Sequence, residues 1–416
     1  MNSHAATQPI ETAGDNKSRI GVAALMRMAL SGIDLTPLGN TLIEHATHHP
    51  DNADTLMDLS TILLLTGNRE VALTLQAQAL AMQQVYRLRS TPNPTATRLL
   101  AIMAPGDLMA NTPLEFLLED ADVTLDALYV APGLAMPAVL PDHDMIFVAV
   151  GESDHNRPLL QYIEGLIASW PWPRPVLNKP ARIARLSRDG ASTLLKSTSG
   201  LVMPQSVRID RQTLERVGRA ELSIGSHVAE SDFPIIIRPI GSHAGQGLEK
   251  LDQLFAITDY LQNIPEPTFY VTPFVDYRSA DGQYRKYRIA VIDGRPWVCH
   301  MAISDRWMIH YLNAGMSDSA PKRAEEAEFM ARFDGDFAYR HRAAFDAITA
   351  RLGLDYYGID CAETAAGQLL IFEVDTSMIV HAMDPVDVFP YKQPQMRKVF
   401  AAFHALLAKT LQARAL

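Results

Sequence analysis

Cysteine is nearly absent. Cys299 and Cys361 are the only two in 416 residues, and each sits in an apolar, strand-like run. Such a chain has no disulfide framework and no CxxC metal spacing, so a reducing cytoplasm is the expected compartment. Basic charge is also short: 37 Lys and Arg stand against 47 Asp and Glu, a formal net charge of -10. A general nucleic-acid binder would carry a basic face, so no nucleic-acid partner is expected. No run approaches the ~20 apolar residues of a membrane span, and no membrane partner is expected either. Positions 1–19, MNSHAATQPIETAGDNKSR, lack the apolar stretch of a signal peptide and read as a disordered tail. The fingerprints GK[ST] and GxGxxG are missing as well.

What is present is the composition of a globular protein, 48% hydrophobic and 20% charged. The length leaves room for roughly two to four domains. Residues 20–89 are helical in pattern. One helix ends at Gly32, a second stops before Pro50, and a hairpin follows in which Ala53, Leu56, Leu59 and Leu63 recur at helical spacing. Gly67 breaks that stripe, and Ala72, Leu75, Ala79 and Leu80 resume it. The hairpin resembles one tetratricopeptide repeat, while a self-standing solenoid needs about three. It is either a face for a peptide or protein partner or a helical cap on the next domain. STPNPTAT at 90–97 is a linker. Strand-like runs at 98–105, 125–130 and 145–150 then alternate with helical patterns at 112–119 and 158–169, which predicts a small parallel α/β unit. The proline-rich WPWPRP run closes it as a rigid connector.

The chain is organised around 233–247, FPIIIRPIGSHAGQG. The isoleucine run predicts a strand buried on both faces. Arg238 stands at its end. A loop with Gly241, Ser242, His243, Gly245 and Gly247 follows, in which glycines let the backbone turn tightly and approach a ligand. Successive N–H groups in such a loop can converge on an anion, and a fixed cation beside it suits a polyphosphate. Further on, 248–262 reads as a helix and TFYVTPFV at 268–275 as a strand. Runs 283–291 and 297–304 read as a hairpin turning at Asp293-Gly294. Residues 324–353 read as helix, 357–362 and 368–374 as a second strand pair, and 395–414 as an amphipathic helix.

Glu373 and Asp375 are two apart on a strand, so both carboxylates point to one face, with Asp360 in the neighbouring run. Same-face carboxylates repel unless a cation lies between them. Oxygen ligands of this kind suit Mg²⁺, which also takes phosphate oxygens. Lys286 and Arg288 share one face of the strand RKYRIAV by the same alternation.

In order, the motifs are VLNKPARIARLSRD, GLVMPQSVRI, IIIRPIGSHAGQGL, YVTPFVDY, KYRIAVIDGRPWVCHMA and GIDCAETAAGQLLIFEVD. Across about residues 96–390 this order resembles the ATP-grasp superfamily, nearest its RimK-like and glutathione-synthetase-like branch. The resemblance implies an α+β ATP-grasp fold: two α+β subdomains at 181–265 and 266–416, together 181–416. A small α/β domain at 96–180 and the helical region at 20–95 precede it. It implies an ATP-dependent carboxylate–amine ligase that uses ATP and Mg²⁺, two ions, to form an amide bond through an acylphosphate. It gives Arg238 and the glycine loop to the phosphates, Thr272, Pro273, Phe274 and Val275 to adenine, and Asp360, Glu373 and Asp375 to the metal. Arg288, with Lys286, would oppose charge on the transferred phosphoryl. Apart from the resemblance, His300, His310 and His381 are each either a substrate contact or a structural histidine, and His300 is the one grouped with the catalytic residues. A small-molecule amine or carboxylate is the expected partner, in a homo-oligomer. The family lysine after the RD of Arg188-Asp189 is replaced by Gly190, with Lys196 or Lys179 as substitutes, and its closing Asn is Asp375. These departures motivate an alternative, a nucleotide-binding adaptor with a degenerate ligase domain.

Overall fold

The computed structural model describes residues 19–170, 173–228, 232–242 and 245–415. The expectations for positions 1–18, Trp172 and His243 lie outside the described residues. Four helices come first, as the apolar spacing requires: α1 (Val22–Leu30), α2 (Thr36–His48), α3 (Ala53–Leu65) and α4 (Arg69–Met82). Asn52 starts α3 by accepting the Thr55 N–H at 2.9 Å. Leu25, Leu42, Leu59 and Ile62 form the core between the helices. The inner side of α3 and α4, with Leu56, Met57, Ala79 and Leu80, packs on Tyr86 and Tyr129 of the following sheet. The helices therefore cap that sheet.

The helical pattern does not run to residue 89. VYRLR forms β1 (Val85–Arg89), antiparallel to β3, because Tyr86 is needed in the core beneath α4 and alternation exposes Arg87. The rest of this sheet comprises β2 (Thr97–Met103), β3 (Val123–Tyr129), β4 (Met145–Val148) and β5 (Val176–Leu177), with order β1-β3-β2-β4-β5. The strands β2 to β5 pair in parallel, as the alternation of strands and helices predicts. α5 (Leu114–Leu117) and α6 (Arg157–Ala168) are its connections.

Two short helices, α7 (Pro180–Ile183) and α8 (Arg188–Leu195), lead into 200–209. That stretch is two strands, not one. Pro204 lies between β6 (Leu201–Val202) and β7 (Val207–Asp210), which belong to different sheets. An unanticipated helix, α9 (Arg211–Gly218), begins where the Asp210 carboxylate accepts the Thr213 N–H at 2.8 Å. β8 (Ile235–Pro239) buries Ile235 and Ile237 fully, while Ile236 borders a cavity on the other face. The expected helix at 248–262 is first a strand, β9 (Glu249–Leu251), the hairpin partner of β8. Gly247, at φ +61, makes this return possible: a Cβ there would stand 2.8 Å from the Pro239 ring. α10 (Ala256–Asn263) and β10 (Thr268–Pro273) complete a four-stranded antiparallel sheet, β7-β10-β8-β9.

The third sheet has the order β12-β11-β13-β14-β6. β11 (Tyr284–Ile292) and β12 (Arg295–Ser304) turn at Asp293 and Gly294, both at positive φ, as the Asp-Gly pair predicts. α11 (Ala320–Arg332), α12 (Phe337–Arg340) and α13 (Arg342–Leu352) precede β13 (Tyr356–Glu363) and β14 (Leu369–Asp375). α14 (Lys392–Ala415) runs between this sheet and the first, where Phe403 meets both Tyr356 and Phe147. One core thus spans both sheets and fixes the small α/β unit against the larger one. Among the described residues, no helix is long and apolar enough to cross a membrane.

Candidate active site

Strand register builds the centre of the site. His300 on β12 pairs with Arg288 on β11, Arg288 with Asp360 on β13, and Asp360 with Glu373 on β14. Four residues distant in sequence therefore form one row across the sheet. Register irregularities follow directly after Arg288 and Asp360, where a bulge re-aims side chains. Asp360 is 2% exposed and takes two of the three cations of β11, Lys286 and Arg288. Lys286 Nζ stands 2.7 Å from Asp360 Oδ2, while Arg288 Nε and Nη2 donate at 2.8 and 3.0 Å. Burial pushes this carboxyl up, but Arg288 and then Lys286 outweigh burial and hold it well below the usual range.

The next carboxylates are less well compensated. Glu373 accepts from Arg188 Nη2 at 2.5 Å. Burial first, and then Glu373, push Asp375 up to about 6, although the Ser377 N–H donates to it at 2.9 Å. Arg188 begins α8, so the RD pair supplies a cation to Glu373 on β14. The departure at Gly190 has a steric cause: a Cβ there would lie 2.6 Å from the Arg185 carbonyl and 2.8 Å from Ser187 Oγ. Among the described residues bordering the cavity, neither Lys179 nor Lys196 is present, and Arg188 is.

A cavity of about 760 Å³ joins these groups to the glycine turn. Arg188, Arg238, Gly245, Thr272, Pro273, Phe274, Val275, Lys286, Arg288, His300, Asp360, Glu373 and Asp375 all border it, as do His310 and His381. Gly241, Ser242 and Gly247 shape the turn from outside the lining. Arg238 Nε donates to Ser242 Oγ at 3.1 Å and Nη2 to the Ser242 carbonyl. Burial and then Arg188 lower the Arg238 guanidinium to about 10. A buried cation beside a second cation suits an anion between them. At the far side of the turn the Phe274 N–H is used by the Pro234 carbonyl at 3.0 Å. The Phe274 ring meets Trp307 edge-on at 5.7 Å, and Lys250 Nζ lies 4.8 Å from its centroid.

Burial, with Arg288 and Lys392 next, lowers His300 well below its ordinary value, and its ring lies 4.5 Å from Tyr311. Behind it is a cluster the sequence reading missed. Lys392, 2% exposed, contacts Glu326 at 3.5 Å and Asp384 at 3.1 Å and donates to Tyr311. Its signal was a lysine set among the aromatic residues of FPYK, at the start of the last helix.

No family model and no curated protein matches the chain. Solved structures do overlap it. A RimK domain ATP-grasp protein from Sphaerobacter thermophilus is 16% identical with a TM-score of 0.41, covering 74% of this chain and 99% of its own. The D-alanine–D-alanine ligase of Bacillus anthracis in complex with ATP is 10% identical with a TM-score of 0.45, covering 76% and 98%. The VanG D-Ala:D-Ser ligase of Enterococcus faecalis is 14% identical with a TM-score of 0.44, covering 74% and 100%. Identities and TM-scores are low throughout, so roles are assigned from the residues of this chain.

The donor set fits a hard divalent cation. Among the described residues, no group of three or more His, Cys, Asp or Glu side chains is arranged to hold a metal. Glu373 and Asp375 are two carboxylates on one strand face, and Asp375 is raised by burial first and by Glu373 second. Mg²⁺ characteristically uses one or two carboxylates and completes its shell with phosphate and water. Asp360 already holds Lys286 and Arg288, and would ligate a metal only if one of those pairs opened.

Proposed function

We propose that the chain is an ATP- and Mg²⁺-dependent carboxylate–amine ligase. One observation carries this: the glycine turn with Arg238, the strand end at 272–275, the Lys286–Arg288 pair and the Glu373–Asp375 pair all border a single cleft. In this reading adenine lies against Phe274 and Val275, and the phosphates lie between Arg238, Arg188 and the turn. Glu373 and Asp375 would hold Mg²⁺, which supplies charge neutralisation at the phosphate oxygens. Arg288 and Lys286, fixed by Asp360, present preorganised positive charge where the transferred phosphoryl gathers negative charge. The substrate carboxylate attacks the γ-phosphorus, the bond to the bridging oxygen breaks, and ADP leaves. The amine then attacks the acyl carbon and expels phosphate. His300, beside Arg288, borders the cleft as a substrate contact, because burial and the neighbouring cations disfavour its protonated form. The cleft holds the reactants together and keeps water from the acylphosphate.

The test is ADP release by purified protein with ATP, Mg²⁺ and a panel of carboxylate–amine pairs, repeated with Glu373→Gln. The expected result is ADP and phosphate in equal amounts with wild type, and a loss of about a hundredfold or more in the variant. Equal turnover by the variant sinks the metal role of Glu373. Nucleotide binding without ADP from any pair favours the adaptor instead.

A further inference from the structure

The cleft extends beyond Arg288 to an end that no step above uses. Met26 and Leu30 of α1, Met109 after β2, and Met383 and Phe389 before α14 border it. α1 belongs to the helical cap, outside the stretch that carries the family resemblance. Acidic side chains hold it in place. Asp58 accepts the N–H groups of Ile20 and Gly21 at 2.6 and 3.2 Å, Glu115 accepts that of Ala23 at 2.7 Å, and Arg27 donates to Glu119 at 3.1 Å. These carboxylates satisfy helix-start donors that would otherwise be orphaned. The His381 ring lies 6.4 Å from Phe116, the neighbour in sequence of the Glu115 that caps α1, and Met26, Leu30 and His381 all border the cleft. At the mouth, Leu30 keeps 51% of its surface exposed, an apolar side chain open to solvent where the cavity begins. Lys392, a buried cation bordering the cleft, is already held by Glu326 and Asp384 and is not free for a charged substituent.

We propose that this end is a specificity pocket for an apolar hydrocarbon group on the acid or amine substrate, with Met26 and Leu30 as its outer wall. The proposal rests on the ligase reading and assigns the helical cap a part in substrate choice. Thioether side chains are unbranched and adaptable, so the pocket accepts aliphatic and aromatic groups alike and discriminates against charged ones. The group can come from an apolar amino acid or from a medium-chain fatty acid.

The experiment measures ADP release with ATP and Mg²⁺ for all acid–amine pairs drawn from L-leucine, L-methionine, L-phenylalanine, octanoate, L-serine, L-aspartate, L-lysine and acetate. The best apolar compound is expected to exceed every charged one by at least about tenfold in kcat/KM, the scale set by a few buried methylenes. The leading arm, amino acids or octanoate, names the source. Leu30→Glu, at a half-exposed position, is expected to raise KM for the apolar compound by about tenfold, with KM for ATP and the melting temperature unchanged. Met26→Gln is the inner counterpart. Equal use of charged compounds, or an unchanged KM in Leu30→Glu, overturns the pocket and leaves the ligase reading standing. ADP from no pair overturns the ligase reading. Calorimetric titration of the same compounds then decides the pocket, and absence of apolar binding overturns it too.

Discussion

Lys286, Arg288, Asp360 and Glu373, on the floor of the cleft, each meet an opposite charge of their own chain. On the wall formed by β8 and the turn, Arg238 among the described residues donates to the oxygens of Ser242 and lies within the field of Arg188. The Lys286–Arg288–Asp360 part of the floor is therefore ion-paired without a ligand, and the wall is not. A buried charge with partners is costly to disturb, whereas a buried charge without them strains the empty protein and gains when an anion arrives. The contrast separates residues that hold the site together from residues that wait for substrate.

The sharpest way to break this contrast is on the floor. Arg288→Met leaves Asp360 buried with Lys286 alone. Loss of one partner of a buried ion pair costs about 3–5 kcal/mol. Urea denaturation is expected to show a loss of that size, and ADP release to fall by about 10²–10³, the scale for one preorganised charge donor. A variant as stable as wild type would mean that Asp360 is satisfied in some other way, and the floor would not be a closed set.

The floor was legible in the sequence because it depends on rules of period two. Alternation put Lys286 and Arg288 on one face and Glu373 and Asp375 on another, and the Asp-Gly turn fixed the first hairpin. The ion pairs across strands were not legible, because register decides them and register is set by the whole sheet. Arg188 was visible only as half of an RD motif, and its role came from α8 meeting β14. On the other wall, β9 was mistaken for helix because EKL is too short to show a period, and pairing with β8 overrode its propensity. The contribution of α1 to the cleft lay beyond reading altogether. A helical stripe shows which face is buried and gives no sign of what lies at the helix end.

The wall offers the opposite outcome. Burial and then Arg188 push Arg238 down to about 10 in the fold, below its ordinary value. A base whose folded value is depressed prefers the proton in the unfolded chain, so at pH 7 its charge works against folding. The penalty fades only as pH rises past about 10. Arg238→Met is therefore expected to leave the urea midpoint of the empty protein at pH 7 equal or higher, while KM for ATP rises by about tenfold or more. Reduced stability with unchanged KM would make Arg238 a strut of the turn and erase the difference between the walls.

The smallest effect tests how the waiting guanidinium is aimed. Ser242 Oγ accepts from Arg238 Nε at 3.1 Å and donates to the Pro239 carbonyl at 2.9 Å, so one hydroxyl ties the side chain to the strand end. Ser242→Ala removes both bonds but leaves the Ser242 carbonyl that Arg238 Nη2 uses. The hydroxyl is partly solvated and the guanidinium keeps one acceptor. The loss of stability is thus expected near the lower end for a hydrogen bond, about 0.5–1 kcal/mol. A guanidinium with one anchor samples more rotamers, so nucleotide affinity should weaken by about two- to fivefold, less than in Arg238→Met, with kcat preserved. Titration of the variant with ATP measures this directly. A loss as large as that of Arg238→Met would place the aim of the guanidinium, and not its charge, at the centre of nucleotide binding.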